Sequence, residues 1–515
     1  MASRKIAEKL FPGETNSLTT EQLKKAVEAA KKKGVIGDGP IGVLQGNPFH
    51  GSLDYCAAIA GSPPYSGPFQ VHGFCETNYE AVEKAFRKTF EDGVQRDAQL
   101  CIYKDGKVVV DLWGSNTANS VYSNYNGDTL QLVYSSGKAI AAACMAMAAD
   151  RGYFHYDDKV CKYWPEFAQK GKEDITIADV LRHDSGLHAF HEVITPEAVA
   201  TQSDPNGEMS RIIAEQEPWV WLNGPRKGKR PRQYHGVSRG YILSQILMRV
   251  DPKKRTIGQW EAEELCPPLH ADIFCGPHDP SYLQRDVAKL RRESDAWLFT
   301  HQTLRRELEK IIHGNYTKPT SGVDARMETM KKTDPSAYLL KHNPYIDRRG
   351  RQPWIPCGMI FQRDSNGLNP EHVEIRQEIP SSSTRATARG LAKVMAMLAN
   401  GGELNGVRLM SSNGVKIACE KPIKSYPEEF PQNHCQGGWE SHQNLPTTYQ
   451  PKGSFGWGGA GGSNVFFHPG KNIGFAFAMT GYSTASALNG DFRSASLRRA
   501  LFKETPVLAE ASSKM

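Results

Sequence analysis

The amino-acid sequence predicts an α/β protein of the α+β type, in which one antiparallel sheet is flanked by helices and adjoined by a mostly helical subdomain. Two segments read as β-hairpins: AQLCIYKDGKVVVDLWG turns at Asp105-Gly106, and SNVFFHPGKNIGFAFAMTG turns at Pro469-Gly470. If both hairpins join one sheet, the two ends of the domain meet in it. The stretch from about residue 135 to residue 400 is then a mostly helical excursion beside that sheet.

The compact domain is expected to span residues 71–490, with a helix from about Tyr79 to Phe90 ahead of the first hairpin. Residues 491–515 are expected to form a C-terminal tail. A long insertion at about 280–360 interrupts the domain, because the region from 251 to 380 is longer than a simple connector. Its segment DVAKLRRESDAWLFTHQTLRRELEKII predicts one or two amphipathic helices, for which a lid and a partner surface are the alternatives.

Residues 1–70 are expected to form an N-terminal extension. TTEQ, at residues 19–22, has the spacing of a capping box, and LKKAVEAAKKKG then predicts one exposed, lysine-rich helix that ends at Gly34. The Gly- and Pro-rich segment from Gly37 to Pro68 has little periodicity and predicts an irregular linker. This extension and the insertion are the candidate surfaces for a protein partner.

The composition predicts a globular protein with a large core, since 39% of the 515 residues are hydrophobic. No apolar run approaches the roughly 20 residues of a membrane-spanning helix. The net charge of +7 is modest for this length and does not indicate a nucleic-acid partner. The N-terminus lacks the apolar core of a secretory signal, and the ten cysteines lie far apart, so free thiols in a reducing compartment are expected.

One group of residues has types that suit zinc. Cys266, His270, Cys275 and His278 lie close in the chain, but their spacing matches no closed Cys/His site, and the neighbouring prolines suggest a loop. No metal and no cofactor are therefore expected.

The segment VYSSGKAIAAACMAMAADRG places Ser135 three residues before Lys138, at the start of an Ala-rich helix that is expected to be buried. The serine lies where helix amides favour a developing negative charge. A cation is misplaced there unless it is partly desolvated and helps to remove the proton of the adjacent hydroxyl. Taken alone the Ser-x-x-Lys pattern is a weak signal, because a serine at a helix start is more often a cap.

Five blocks follow this helix in order: DRGYFHYDDKVCKYWPEF, DITIADVLRHDSGL, PRQYHGVSRGYILSQIL, ATARGLAKVMAMLANGGEL and SFGWGGAGGSNVFFHPGKNIGFAFAM. In that order they resemble the serine β-lactamase and penicillin-binding-protein superfamily, specifically its class C-like esterase branch, which includes the eukaryotic β-lactamase-domain-containing proteins. The resemblance covers about residues 71–480 and implies a β-lactamase-like fold.

The resemblance also implies a role for three side chains. Ser135 matches the acylated nucleophile of the family, and Lys138 matches its partner base. Tyr234, at the head of Tyr-His-Gly, matches the tyrosine that relays protons to and from the leaving group. An ordinary buried tyrosine is the alternative for Tyr234.

The segment Trp457-Gly458-Gly459 occupies the third motif of the family, usually Lys-Thr-Gly or His-Thr-Gly, on the strand beside the site. The resemblance implies an oxyanion hole formed by backbone amides, here expected to be those of Ser135 and Ala460. The glycines would let substrate approach the strand, with a structural turn as their alternative. Trp457 is interpreted either as a wall of the acyl pocket or as core packing.

Two departures from the family pattern indicate the substrate class. Trp457 and Gly236 stand where penicillin-recognising members have a lysine and often an asparagine, so the polar contacts for a β-lactam are missing. Small-molecule esters or thioesters fit better. The sequence therefore predicts a carboxylesterase-like serine hydrolase that forms an acyl-enzyme. The alternative is a catalytically idle structural or interaction protein that retains the fold.

Two further features concern substrate and location. Five cations lie within seven positions: Arg226, Lys227, Lys229, Arg230 and Arg232. They would form an entrance rim for an anionic substrate such as an acyl-coenzyme A, with Arg230 and Arg232 as the candidates for contact with that substrate. A solvated loop is the alternative. The tripeptide Ser513-Lys514-Met515 resembles a C-terminal peroxisomal address and predicts a peroxisomal location, with the cytoplasm as the alternative.

Overall fold

The structure is a computed structural model that describes residues 65, 67–117, 124–192, 194, 196–221, 227–279, 377–422, 433–441, 451–482 and 491–502, with isolated pieces between 281 and 368. Three predicted features lie outside the described residues: residues 1–64 of the N-terminal extension, most of the 280–360 insertion, and the Ser513-Lys514-Met515 address. Arg226 of the basic run lies outside them as well.

The strands are β1 (Phe69–Cys75), β2 (Asp97–Lys104), β3 (Lys107–Asn116), β4 (Leu130–Leu132), β5 (Val220–Trp221), β6 (Ile273–Phe274), β7 (Val287–Ala288), β8 (Arg291–Arg292), β9 (Tyr345–Ile346), β10 (Arg363–Asp364), β11 (Gly367–Leu368), β12 (Arg385–Ala386), β13 (Glu403–Leu404), β14 (Val407–Arg408), β15 (Glu440–Ser441), β16 (Phe455–Gly458), β17 (Asn464–His468), β18 (Ile473–Met479) and β19 (Gly481–Tyr482). The α-helices are α1 (Glu80–Glu91), α2 (Gly137–Asp150), α3 (Ile177–Leu181), α4 (Pro196–Ala200), α5 (Glu208–Glu215), α6 (Ser238–Val250), α7 (Ile257–Trp260), α8 (Cys266–Leu269), α9 (Ala388–Ala399), α10 (Ser412–Ala418) and α11 (Phe492–Phe502).

Seven of the described strands form the main sheet, in the order β1-β3-β2-β18-β17-β16-β15, and each neighbouring pair is antiparallel. Both predicted hairpins belong to it, and β18 pairs with β2, so the two ends of the domain meet in one sheet as predicted. Asp105 and Gly106 turn the first hairpin with φ values of 50° and 76°. A left-handed turn of this kind favours Asp-Gly because glycine adopts a positive φ without strain.

Helices cover both faces of the sheet. On one face, α1 and α11 pack against large apolar side chains of β2, β17 and β18. On the other face, α9 lies against the small residues of β18, and a β-carbon placed on Gly474 would lie 2.4 Å from the backbone nitrogen of Ala396. This close approach explains the Gly-Phe-Ala-Phe-Ala alternation of β18, with small residues toward α9 and aromatic residues toward α1.

The Ala-rich helix α2 is buried from Gly137 to Ala148, as its composition predicts. Small side chains let the neighbouring elements α6, α9 and β16 approach it closely. Because β4 leads directly into α2, residues 133–136 form a short connection between a strand and this buried helix.

The C-terminal boundary of the domain differs from the prediction. Residues 492–502 form helix α11, whose Leu497 and Leu501 belong to the same buried apolar cluster as Phe86 of α1. The predicted tail therefore begins too early, since eleven more residues belong to the folded layer. Within the described ranges, no helix is long and apolar enough to cross a bilayer.

Candidate active site

Ser135 lies in a short 3-10 turn, Tyr134–Ser136, that joins β4 to α2. Tyr134 has a φ of 45°, a left-handed conformation that is uncommon for a bulky residue and is found most often at functional sites. The turn buries Tyr134 and Ser136 but leaves Ser135 partly exposed at the N-terminal end of α2. The hydroxyl of Ser135 is thus accessible at the N-terminal end of a buried helix.

Lys138 is fully buried in the first turn of α2, and its Nζ lies 3.2 Å from Ser135 Oγ. The same amine donates to two backbone carbonyl oxygens, Gly236 O at 2.6 Å and Ser381 O at 2.7 Å. These acceptors use two of the hydrogens on the nitrogen. A neutral amine carries a lone pair beside its two hydrogens, with which it can accept the proton of a hydroxyl.

The hydroxyl of Tyr234 lies 2.6 Å from Ser135 Oγ, and the Nζ of Lys138 lies 4.9 Å from the centroid of its ring. Burial raises the pKa of Tyr234 above its ordinary value, while hydrogen bonds with Ser135 and Trp457 and the charge of Arg239 act in the opposite direction. Tyr234 is therefore a neutral hydroxyl at neutral pH that can give or accept a proton. The structure brings together the three side chains expected to carry the chemistry.

Trp457 lies on β16 with 1% of its surface exposed. Its ring is stacked behind that of Tyr234, with centroids 6.3 Å apart and planes 20° apart. His434 and His183 cover the rest of the indole at centroid distances of 4.7 and 5.4 Å. This burial supports core packing over the interpretation of Trp457 as a wall of the acyl pocket.

The turn after β16 presses against the nucleophile segment. Gly458 ends the strand opposite Asn464, and a β-carbon on Gly459 would lie 2.2 Å from the carbonyl oxygen of Val133. Ala460, the next residue, is partly exposed. Glycine is needed at position 459 because this approach leaves no space for a side chain, and the amide of Ala460 remains the predicted second donor of the oxyanion hole.

Ser463 holds this turn against the nucleophile segment by hydrogen bonds. Its Oγ donates to the carbonyl oxygen of Val133 at 2.8 Å and lies 2.9 Å from Ser136 Oγ. The hydroxyl of the serine next to Ser135 is thus used in holding β16 and β17 against the start of α2. Ser136 and Ser463, which join two segments of the site, are 327 residues apart in the chain.

The two arginines expected at an entrance rim have partners inside the protein. Arg230 forms a two-pronged ion pair with Asp174, at 2.7 and 3.2 Å. Arg232 is 3% exposed, and its guanidinium donates to His434 Nδ1 at 2.6 Å and lies 3.4 Å from Asp184. The burial of Arg232 argues against its contact with a substrate at the entrance.

Several residues of the site were missed by the sequence analysis. Ser381 contributes only a backbone carbonyl, which leaves no mark in the residue type. Arg239 follows Tyr-His-Gly closely and lies in the first turn of α6, and a cation next to the apolar run that follows it was the available signal. His183 lies in the quoted block LRHDSGL, but its contacts with Tyr234 and His434 depend on the tertiary fold.

The residues weighed as a zinc cluster have separate contacts. Cys266 Sγ lies 3.6 Å from the carbonyl oxygen of Ile273, and His278 Nε2 lies 2.8 Å from a carboxylate oxygen of Glu378. Within the described part of the chain, no three residues of metal-binding type are grouped as ligands.

Comparison with known proteins gives consistent matches across the folded part of the chain. The beta-lactamase family model matches residues 82–498. The chain is 25% identical to the esterase/beta-lactamase LipL of Mycobacterium tuberculosis (strain ATCC 25618 / H37Rv) over 427 residues, which cover 82% of this chain and 86% of that protein.

Two solved structures are similar in fold and sequence. A penicillin-binding protein homologue from Caulobacter crescentus has a TM-score of 0.61 and 28% identity, over 85% of this chain and 100% of that chain. A family VIII carboxylesterase has a TM-score of 0.62 and 25% identity, over 84% of this chain and 99% of that chain. The likeness extends over nearly the whole of both structures.

Proposed function

This chain belongs to the beta-lactamase family, and on that premise we propose that it is a carboxylesterase-like serine hydrolase that forms an acyl-enzyme at Ser135. The observation that carries the proposal is the pair of contacts made by one partly exposed hydroxyl. Ser135 Oγ lies 3.2 Å from a buried amine and 2.6 Å from a phenol. A base and an acid beside one nucleophile are what acyl transfer needs.

In the acylation step, the hydroxyl oxygen of Ser135 attacks the carbonyl carbon of the substrate while its proton passes to the neutral amine of Lys138. The bond from the carbonyl carbon to the leaving oxygen or sulfur breaks, and the leaving group takes the hydroxyl proton of Tyr234. The alcohol or thiol departs. An acyl ester remains on Ser135, with an ammonium at Lys138 and a phenolate at Tyr234.

In the deacylation step, water attacks the acyl carbonyl carbon and gives one proton to the phenolate of Tyr234. The oxygen of Ser135 leaves and recovers its proton from the ammonium of Lys138. The carboxylic acid departs, and the three side chains return to their starting protonation states.

Small-molecule esters or thioesters are the proposed substrates. Gly236 has no side chain that could hold the amide of a β-lactam, and Trp457 is buried behind Tyr234, so neither position offers a polar contact to a substrate carboxylate. The esterase in the name of LipL and the carboxylesterase among the similar structures support this substrate class.

Labelling with a fluorophosphonate tests the proposal directly, with intact mass spectrometry and peptide mapping to locate the adduct. We expect a single adduct on Ser135 and hydrolysis of p-nitrophenyl butyrate, both of which are lost in Ser135→Ala. Ser412→Ala is the control, because Ser412 also begins a helix, α10, but lies outside the site. An unlabelled wild-type protein would instead favour the idle structural relative.

A further inference from the structure

Arg239 is a cation placed in the core. It lies in the first turn of α6 with 1% of its surface exposed. Its guanidinium donates to backbone carbonyls, Gly438 O at 3.1 Å and Lys138 O at 3.5 Å. Among the described residues, no carboxylate forms an ion pair with it. An unpaired charge in a core costs free energy, so such a residue indicates a functional demand.

The guanidinium, the indole of Trp457 and the phenol of Tyr234 form a continuous stack. The Cζ atom of Arg239 lies 5.3 Å from the centroid of the Trp457 ring, within the range of a cation–π contact. The indole is nearly parallel to the ring of Tyr234. The contact between Trp457 and Tyr234 also acts to lower the pKa of the phenol, against the effect of burial.

The other titratable groups around Tyr234 and Arg239 are uncharged at neutral pH. Burial lowers the pKa of His235 to about 3 and holds the pKa of His183 well below its ordinary value, so both rings are neutral. His434 accepts at Nδ1 from Arg232 and is therefore neutral as well. Burial raises the pKa of Cys435, the thiol near Arg239, to about 11.

Arg239 and, once it has taken the proton of Ser135, Lys138 are thus the cations that face Tyr234 within the described part of the chain. Lys138 exchanges a proton in every catalytic cycle of the proposed mechanism, whereas a guanidinium keeps its charge throughout. A fixed positive charge behind the phenol is the environment that a phenolate requires, because a low-dielectric site strengthens charge–charge attraction.

We propose that Arg239, acting through Trp457, stabilises the negative charge that Tyr234 carries after it has protonated the leaving group. The proposal rests on the proposed function, because it assigns a role within the same catalytic cycle. Arg239 and Trp457 are then positioning residues that act on Tyr234 and do not touch the substrate. Their effect falls on the acid strength of Tyr234, so leaving groups that need a proton depend on them most.

Two butyrate esters separate this role from a structural one. p-Nitrophenol leaves as an anion without help, whereas ethanol needs a proton from Tyr234, and both esters give the same acyl-enzyme. Since kcat/KM reports acylation, we expect Arg239→Met to lower kcat/KM for ethyl butyrate about tenfold more than for p-nitrophenyl butyrate, the effect of one pKa unit at Tyr234. Trp457→Phe, which keeps a ring but weakens the cation–π contact with Arg239, should show the same bias, and Arg239→Lys should retain most activity on both esters.

Arg249→Met is the matched control. Arg249 lies on the same helix with its Cζ 4.0 Å from the ring centroid of Trp164, yet it bonds to Gln245 and Pro205 away from the site. We expect its loss to leave the ratio of the two esters unchanged. A change in that ratio equal to that of Arg239→Met would overturn the proposal.

Equal losses on both esters in Arg239→Met and Trp457→Phe would also overturn it, since a structural defect lowers both alike. If Arg239→Met does not fold, Trp457→Phe and Arg239→Lys decide by the same ratio. Fluorophosphonate labelling of Ser135 distinguishes a failure of the proposed function from a failure of the role of Arg239. Absence of the label in wild type refutes the proposed function. Normal labelling with equal losses on both esters refutes only the role of Arg239.

Discussion

The amine of Lys138 lies 2.7 Å from the carbonyl oxygen of Ser381, a residue 243 positions later in the chain. With Gly236 O this contact holds the amine beside Ser135 Oγ, at 3.2 Å. A backbone carbonyl has no protonation state of its own near neutrality, so it orients the lysine without competing for the proton. The geometry makes Lys138 the first target for mutation.

Lys138→Met should slow the acylation of Ser135 by about a hundredfold or more, because the variant keeps the apolar stem and loses the base. The measurement is the rate of adduct formation with a slow ester, followed by intact mass spectrometry. Lys172→Met is the matched control, since Lys172 is equally buried and donates to three carbonyls, those of Gln169, Ala214 and Gln216. It should lose thermal stability but acylate at the wild-type rate per folded molecule; equal rates for the two variants would contradict the role of Lys138.

Gly459→Ala should abolish labelling of Ser135, because the new β-carbon would lie 2.2 Å from the carbonyl oxygen of Val133 and would push the turn away from the nucleophile. Gly470→Ala is the control, as its β-carbon would meet only His468 at 3.5 Å in a remote turn. Labelling rates and circular dichroism of both variants check the prediction. Normal labelling of Gly459→Ala would show that this approach does not position the site.

β-Lactam hydrolysis should be negligible beside ester hydrolysis. Without a polar side chain at Gly236 or an exposed one at position 457, a lactam has no partner for its amide and carboxylate. Nitrocefin and p-nitrophenyl butyrate compared at equal enzyme concentration give the measurement. Gly236→Asn alone should add little nitrocefin turnover, since orientation of a substrate needs several contacts at once; turnover of nitrocefin comparable with that of the ester in the wild type would contradict the substrate class.

Glu261 should make stability depend on pH. Burial, with repulsion from Glu378, raises its pKa from 4.5 to about 8. Because the folded-state pKa is the higher one, its contribution to stability is complete below pH 4.5 and is lost as the pH rises through about 8.

Glu261→Gln should therefore gain in melting temperature relative to wild type as the pH rises from 4.5 to 8. Differential scanning fluorimetry across that range gives the comparison. A difference between Glu261→Gln and wild type that stays constant with pH would mean that the carboxyl is ionised throughout.

The features predicted correctly are those that a few neighbouring residues specify. The Asp105-Gly106 turn requires positive φ angles that its residue types allow, and the apolar runs beside it fix the strands. The buried character of α2 follows from its alanines in the same way. The spacing of Ser135 and Lys138 on one face of a helix is also local, which is why their proximity could be expected.

The surroundings of the site depend on contacts between distant segments and could not be predicted. Arg232 reads as one cation of an exposed run, yet it turns inward because His434, 202 positions away, offers an acceptor. Trp457 reads equally as a pocket wall or as core, and the choice is made by His183 and Tyr234. Residue type sets what a side chain is able to do, while its partners come from the assembled fold.

The pairing of β18 with β2 bears on how the protein is made in the cell. A ribosome adding about 5 to 20 residues per second needs on the order of tens of seconds to pass from Ser135 to Trp457. During that interval the nascent chain carries Ser135 and Lys138, the proposed nucleophile and base, but lacks the strands that close the sheet around them. On the proposed mechanism, Ser135 therefore becomes reactive only near the end of translation, and we expect products of premature termination to carry an inert serine.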